Sequence, residues 1–393
     1  MVAAGQTETR QAFRPRARLL QLLGDQLIGT PKLAVFELVK NAYDADASVV
    51  SVEIKGLRTD NPKIIVQDDG QGMSPDTVKN IWLVPGDDHR EQQRNAAVRS
   101  PKFGRLPLGE KGLGRFAVHK LGDRISMITR AAGQNECVVQ IDWSSLIENR
   151  FLEDAEVTVV EREPEVFSGE ATGTRIIIDR LRDSTWSRRD VRDLYRQVNS
   201  IASPFGQKEG EFTVRLSLPD HPEWISTLPD PRQLLRRAPW RFQFTFDGSH
   251  LSFEYEFLGV PGIRVSPRSV AREETLMVRR RNEPDDLDPN APPGKSKTVK
   301  LVATPDMLEG IGPISGQFFI FDRDREVLSR YGESRFIERF LDQNGGVRVY
   351  RDGIRIYNYG EPGDDWLGLD LSRVNSPTRS VSRNIVVGQI ELQ

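Results

Sequence analysis

The stretch Glu37-Leu38-Val39-Lys40-Asn41-Ala42-Tyr43-Asp44-Ala45-Asp46 decides how this chain is read. No glycine or proline interrupts Lys32 to Ser48, so the segment reads as helix. Glu37, Asn41 and Asp44 recur at i, i+4 and i+7, and at about 100° per residue they share one narrow sector. Val35, Leu38, Ala42 and Ala45 form an apolar stripe on the adjoining sector. The helix would bury one flank and present an acid, an amide and a second acid along another. Taken alone, those three polar residues are as well explained by a solvated face.

Working outward, Gly29-Thr30-Pro31 starts that helix, with Thr30 as N-cap and Pro31 at its first position. Before it lie an N-terminal arm (1–14) and a helix from Arg18 to Ile28. After it come strands at 49–55 and 63–67, and the second runs into Asp68-Asp69-Gly70-Gln71-Gly72-Met73. A helix follows over 75–83. Residues 84–108 are rich in Asp, Arg, Gln and Pro, and a loop that long inside a domain is a lid or disordered. The lid, 84–116, ends in Gly109-Glu110-Lys111-Gly112-Leu113-Gly114-Arg115-Phe116. Strands are expected near 124–130, 136–142 and 156–161. Gly173-Thr174 opens another at 175–179, and a helix spans 187–201. The first domain closes at Pro204-Phe205-Gly206, giving 15–206.

The second domain, 207–393, starts with strands near 211–217, 242–247 and 251–258. An exposed loop at 279–298, including the basic run Arg279-Arg280-Arg281, follows. Then come a strand at 317–322, a helix at 334–341, a hairpin 347–350/354–357 and a last strand from Ile385. The chain stops within that strand, so this domain reads as cut at its C-terminal end. Alternating strands and helices make both domains α/β.

Composition excludes several classes. A net charge of −2 gives no global attraction to nucleic acid or membrane. No apolar run is long enough to span a bilayer, and no signal peptide opens the chain. The single cysteine, Cys137, sits in a strand-like apolar run and reads as a core residue in a reducing, cytoplasmic setting. Four histidines without ligand spacing argue against a zinc site.

Four motifs line up in order: the acid/amide helix, Asp68-x-Gly70-x-Gly72-Met73, Gly109-x-x-Gly112-x-Gly114, and Gly173-Thr174. A dinucleotide-binding reading of the second glycine loop fails, because that fingerprint belongs in the first strand–helix turn of a βαβ unit. A Walker A reading fails because no Gly-Lys-Ser/Thr occurs. Together, over about residues 15–205, the motifs resemble the GHKL ATPase superfamily of gyrase-type topoisomerases, the ATP-dependent heat-shock chaperone, histidine kinases, MutL and MORC proteins. The closest look is of bacterial MORC-like or chaperone-like ATPases. The resemblance implies a Bergerat-type α/β sandwich, followed by an α/β transducer-like (S5-like) domain.

The resemblance also implies roles. Glu37 matches the general base that takes a proton from the attacking water, Asn41 the Mg²⁺ ligand, and Asp44 a supporting carboxylate on the nucleotide side. Asp68 matches the acceptor for the adenine amino group. Gly70 and Gly72 let backbone approach the base, Met73 packs on the purine, and Thr174 helps bridge Asp68 to adenine through water. Gly109, Gly112 and Gly114 match the lid end that cradles phosphates. Lys111, Leu113, Arg115 and Phe116 lie in the same run, and an exposed loop lysine competes with a phosphate contact for Lys111. Relatives that dimerise send a basic residue from the second domain to the γ-phosphate. Here its loop is expected beyond Gln393, with Arg379 and Arg383 as nearby alternatives. A histidine kinase is disfavoured, because no histidine precedes residue 37.

The expectation is therefore a Mg²⁺-dependent ATPase whose lid closure and nucleotide-dependent homodimerisation drive a clamp-like change. The client would be DNA or protein, with no membrane. The competing expectation is a nucleotide-gated binding module with little turnover.

Overall fold

A computed structural model describes residues 11–392 apart from 28, 87–91, 94–95, 97, 109–117, 149–150, 183–185, 202–211, 229–230, 282–297, 333, 352, 357–358, 362 and 376–379. The chain divides into two compact units. The first is Met1–Ala202 with Lys208–Leu228, and the second is Ser203–Gln207 with Pro229–Gln393.

The first unit opens with helices α1 (Arg18–Leu27) and α2 (Pro31–Asp44). Thr30 caps α2 by accepting the Leu33 N–H at 3.2 Å, with Pro31 just inside, as the sequence predicts. Its strands are β1 (Val49–Lys55), β2 (Lys63–Asp68), β3 (Gly122–Arg130), β4 (Glu136–Asp142), β5 (Thr158–Arg162), β6 (Gly173–Leu181) and β7 (Thr213–Ser217). They form one sheet in the order β5-β4-β3-β6-β2-β1-β7. Only the β1–β7 pair is parallel.

Strands β1 and β2 alternate buried and half-buried residues, the pattern of a sheet with one face packed. Val50, Val52 and Ile54 are fully buried, and so are Ala34, Val35, Phe36 and Val39 of α2. The apolar side of α2 is thus wider than the predicted stripe and includes Tyr43, while Ala45 is only half-buried. Helix Arg188–Asn199 starts with a capping box between Ser187 and Asp190 and buries Val191, Leu194 and Val198. Cys137 is buried in β4.

The strand expected at 211–217 as the start of the second domain is β7, and it pairs with β1 in the first sheet. The division between units therefore falls after Leu228 rather than at 206. A parallel partner so far along the chain leaves no local signature, so strand spacing alone assigned it to the wrong side.

The second unit holds β8 (Trp240–Phe246), β9 (Leu251–Phe257), β10 (Arg268–Glu274), β11 (Met277–Arg281), β12 (Thr298–Val302), β13 (Ile314–Ile320), β14 (Gly346–Arg351), β15 (Ile354–Ile356) and β16 (Val386–Leu392). Seven of them form a sheet in the order β10-β9-β8-β13-β16-β14-β15, and β11 pairs with β12 in a separate ribbon. Arg279–Arg281, expected in an exposed loop, thus belong to a paired strand.

Helices Arg325–Arg330 and Ser334–Asn344 bury Leu328, Ile337 and Leu341 against Phe319 and Val387 on one face of that sheet. On the same face an open concavity of about 680 Å³ is lined by Gln243, Glu254, Gln317 and Gln389 among others, and its lining carries none of the motif residues. Both units are α/β, as expected.

Candidate functional site

The base-reading half of the site is built where three strands end together. Asp68 is the last residue of β2, Thr129 lies near the end of β3, and Gly173 and Thr174 start β6. Register brings them level, since Thr129 pairs with Thr174 and Arg130 with Gly173. Asp68 is buried, and its Oδ1 accepts the Gly70 N–H at 2.9 Å and the Thr174 N–H at 3.2 Å. Burial pushes the Asp68 carboxyl up to about 7, against the pull of those two N–H groups, and the Asp69 charge beside it adds to the rise.

The glycines are there for space. A Cβ on Gly70 would sit 2.6 Å from the Ala45 carbonyl oxygen and 2.9 Å from Asp68 Oδ1. Gly72 has φ +63°, and a side chain there would run into the Arg130 carbonyl. Met73 is held by its N–H, which donates to Thr129 Oγ1 at 2.9 Å.

Thr129 is a site residue the motifs did not reveal. It is fully buried, its hydroxyl lies 3.0 Å from that of Thr174, and it donates to the Gly173 carbonyl at 3.1 Å. The signal available was the threonine ending an otherwise apolar strand, Ile125-Ser126-Met127-Ile128-Thr129. Thr172 adds a bond to the Gly70 carbonyl at 2.7 Å. Asp69, next to Asp68, turns away to accept N–H groups of Ser48 and Val49, both at 2.8 Å, and the Ser48 hydroxyl. Burial works to raise the Asp69 pKa, but the Ser48 and Val49 donors and Lys102 hold it below the ordinary carboxylate value.

Helix α2 carries the other half. Its end joins the glycine loop through the Gln71 N–H, which donates to the Ala45 carbonyl at 2.8 Å. Glu37 is half-buried, and both its oxygens lie 3.2 Å from Lys40 Nζ, one turn on. Asn41 is exposed. Asp44 accepts the Leu108 N–H at 2.8 Å, so the residue expected to face nucleotide also ties down the chain entering the glycine run.

The root of the lid is fixed by two further residues that local pattern did not single out. Asp46, buried at φ +62°, accepts from the Ser100 hydroxyl at 2.7 Å and from the N–H groups of Lys102 and Phe103 at 2.7 and 3.2 Å. Arg105 is buried with its guanidinium over the rings of Tyr43, Phe103 and Phe212, and it donates to the Ala47 carbonyl at 2.6 Å. In sequence Arg105 looked like one more charge in a polar loop.

Gly109, Lys111, Gly112, Leu113, Gly114, Arg115 and Phe116 lie outside the described residues, as does Arg379. Arg383 donates to Asp370 at 2.8 Å. Among the described residues no cluster of three or more His, Cys, Asp or Glu is arranged to hold a metal. No helix among them is long and apolar enough to cross a membrane.

A buried carboxyl at the mouth of glycine-cleared backbone, flanked by two hydroxyls and a helix bearing Glu, Asn and Asp, is the arrangement of an ATP-binding domain of the GHKL class. Residues 29–174 match the family model described as histidine kinase-, DNA gyrase B- and HSP90-like ATPase, and this part of the chain belongs to that superfamily. The chaperone protein HtpG of Myxococcus xanthus is 27% identical over 170 residues, 38% of this chain and 25% of that protein. A protein named "Putative type II restriction enzyme HgiDII", from Herpetosiphon aurantiacus, is 37% identical over 82 residues, 21% of this chain and 12% of its own length. The chain thus spans a quarter or less of the length of these two relatives.

Proposed function

We propose that the protein is a Mg²⁺-dependent ATPase of the cytoplasm whose nucleotide-driven lid closure and homodimerisation produce a clamp-like motion. The observation that carries this reading is the buried Asp68 carboxyl, oriented through one oxygen by two backbone N–H groups beside the Thr129–Thr174 hydroxyl pair. A carboxylate so held accepts a hydrogen bond from an exocyclic amino group. Adenine offers one at that edge, and guanine presents a carbonyl that repels it. The two hydroxyls suit a bridging water between Asp68 and the base. The space cleared at Gly70 and Gly72 fits a flat ring against backbone.

Glu37 acts as general base. Its half-buried position limits solvation, which keeps a carboxylate basic enough to take a proton from water. Asn41 offers a neutral amide oxygen, a hard donor suited to Mg²⁺ beside a triphosphate, and bound Mg²⁺ would screen phosphate charge there. Asp44 positions the chain that enters the glycine run. The second unit, with its mixed sheet and helices on one face, takes the transducer role. The likeness to HtpG favours a chaperone-like over a MORC-like assignment.

The test is calorimetric binding of a non-hydrolysable ATP analogue together with steady-state turnover. Nucleotide binding that survives Asp68→Asn undiminished, or that does not distinguish adenine from guanine, removes the assignment. A second reading is supported by the Lys40 contact on both oxygens of Glu37, which occupies the base. In that reading the chain is a nucleotide-gated dimerisation module with little turnover. A long-lived ATP-bound dimer with turnover unchanged by Glu37→Ala would establish the second reading and exclude the first.

A further inference from the structure

The second sheet buries one face beneath helices and leaves its other face aromatic. Register assigns the residues. Phe242 pairs with Tyr255 and Phe318, while Phe244 pairs with Phe253 and Gly316, so these side chains share the face opposite Phe319 and the helices. Phe242, Phe244, Phe253 and Phe318 are all half-buried rather than buried.

The rings lie down on the sheet rather than standing up from it. The ring of Phe318 lies over Gly388 on the next strand, where an added Cβ would sit 2.6 Å from it, and the ring of Phe244 covers Gly316 in the same way. Phe244 and Phe318 are 6.1 Å apart, centre to centre, and inclined by only 23°. Phe242 lies 6.2 Å from Phe244 at 33° and 5.7 Å from Phe318 at 46°, and Phe253 lies 5.8 Å from Phe242. Glycine at 316 and 388 is what lets the rings tilt over. Cross-strand rings covering glycines also stabilise a sheet, and that role alone is satisfied by a face sealed under another layer. Here the rings remain half-exposed.

Charge supplies the second observation. Strand β10 is exposed along its whole length, and the residues it turns to this face include Arg268 and Arg272. Arg351 of β14 is exposed on the same face, level with Leu392. Among the residues the described strands turn to this side, Glu274 is the one acid. A floor of tilted rings with an arginine rim matches what unpaired bases and a phosphate backbone require. A duplex hides its base faces and could use only the rim.

We propose that this face of the second sheet binds single-stranded nucleic acid, stacking about two or three bases on Phe242, Phe244, Phe253 and Phe318 with phosphates on Arg268 and Arg272. The inference does not depend on the ATPase assignment of the first unit.

The experiment is fluorescence anisotropy of the full chain with a labelled oligothymidylate, an oligouridylate and a DNA duplex, at two salt concentrations. Both single strands are expected to bind and the duplex at least tenfold more weakly, with the oligothymidylate and oligouridylate arms telling DNA from RNA. Phe318→Leu and Phe242→Leu should each weaken binding roughly five- to tenfold. Arg272→Gln should weaken it about threefold and reduce the salt slope by ~0.7. Melting temperature and ATP-analogue binding serve as controls for folding. Arg272→Glu, at an exposed position that cannot disturb the core, keeps the test decisive if a ring variant misfolds, and it should cost about tenfold. Equal affinity of wild type and Arg272→Glu overturns the proposal. So does a duplex bound as tightly as single strands, or an apolar peptide captured by this face in place of the oligonucleotides.

Discussion

The two ends of the nucleotide site differ in how far they are assembled. At the adenine end, Asp68, Thr129, Thr174 and the Met73 N–H are buried and bonded to one another by backbone and hydroxyl groups from three strands. At the phosphate end, Asn41 is exposed and Glu37 is engaged by Lys40 on an open helix face. The base pocket is preorganised by the sheet, so its recognition energy is not spent on ordering. The hydrolytic groups project from one helix, and their competence depends on what closes over them. Binding and turnover should therefore separate under mutation.

The largest effect tests that separation directly. Glu37→Ala should lower kcat by about 100-fold or more while leaving ATP affinity within about threefold. Full turnover in this variant would erase the distinction between the two ends. Asp68→Asn should act the opposite way, weakening ATP binding by roughly 10- to 100-fold, the scale of a hydrogen bond to a charged group.

The same substitution has a second consequence. Because the folded pKa of Asp68, about 7, is above the ordinary value of 3.8, the folded state holds that proton more tightly. The resulting stability is fully present below pH 4 and is lost as pH rises through 7. Asp68→Asn should thus raise stability by about 2 kcal/mol at pH 8 in chemical denaturation and flatten its pH dependence. The ionised carboxylate is the form that accepts from adenine. ATP affinity of the wild type should therefore fall as pH drops from 8 to 6, and calorimetry of Asp68→Asn should show no such trend.

Thr129→Val comes next in size. It strands the buried Met73 N–H and should cost about 1–3 kcal/mol of stability with a loss of ATP affinity, both read from a nucleotide-dependent melt. Lys40→Met should be the mildest. The pair it breaks is partly exposed, so stability should change by less than ~1 kcal/mol. A shift in the pH profile of kcat would show that Lys40 tunes the base, whereas an unchanged profile would sharpen the contrast by leaving Glu37 to act alone.

The adenine end was more legible in the sequence than the rest, for a physical reason. Asp68, Gly70, Gly72 and Gly173-Thr174 are each dictated by a local demand: a carboxyl at a strand end, backbone cleared for a ring, a hydroxyl beside it. Thr129 escaped because its role arises from strand pairing across 45 residues. Arg105 and Asp46 escaped because hydrophilic side chains in a polar loop look alike until the aromatic cage of Tyr43, Phe103 and Phe212 is assembled around one of them. Strand β7 was misassigned because its partner, β1, is fixed by topology and not by pattern. The helix bearing Glu37 was read correctly from periodicity, but its engagement with Lys40 is a rotameric fact that spacing leaves open.

The buried root of the lid bears on how this chain tolerates change. With Asp46 holding residues 100–103 and Arg105 wedged among three rings, length variation has different costs on the two sides of Ser100. A residue inserted between 100 and 108 would drag a guanidinium out of its cage and loosen the end of α2 with it. A reporter peptide or fluorophore placed between Val84 and Val98, both exposed, would leave that anchorage alone and could follow nucleotide-dependent movement in an otherwise native molecule.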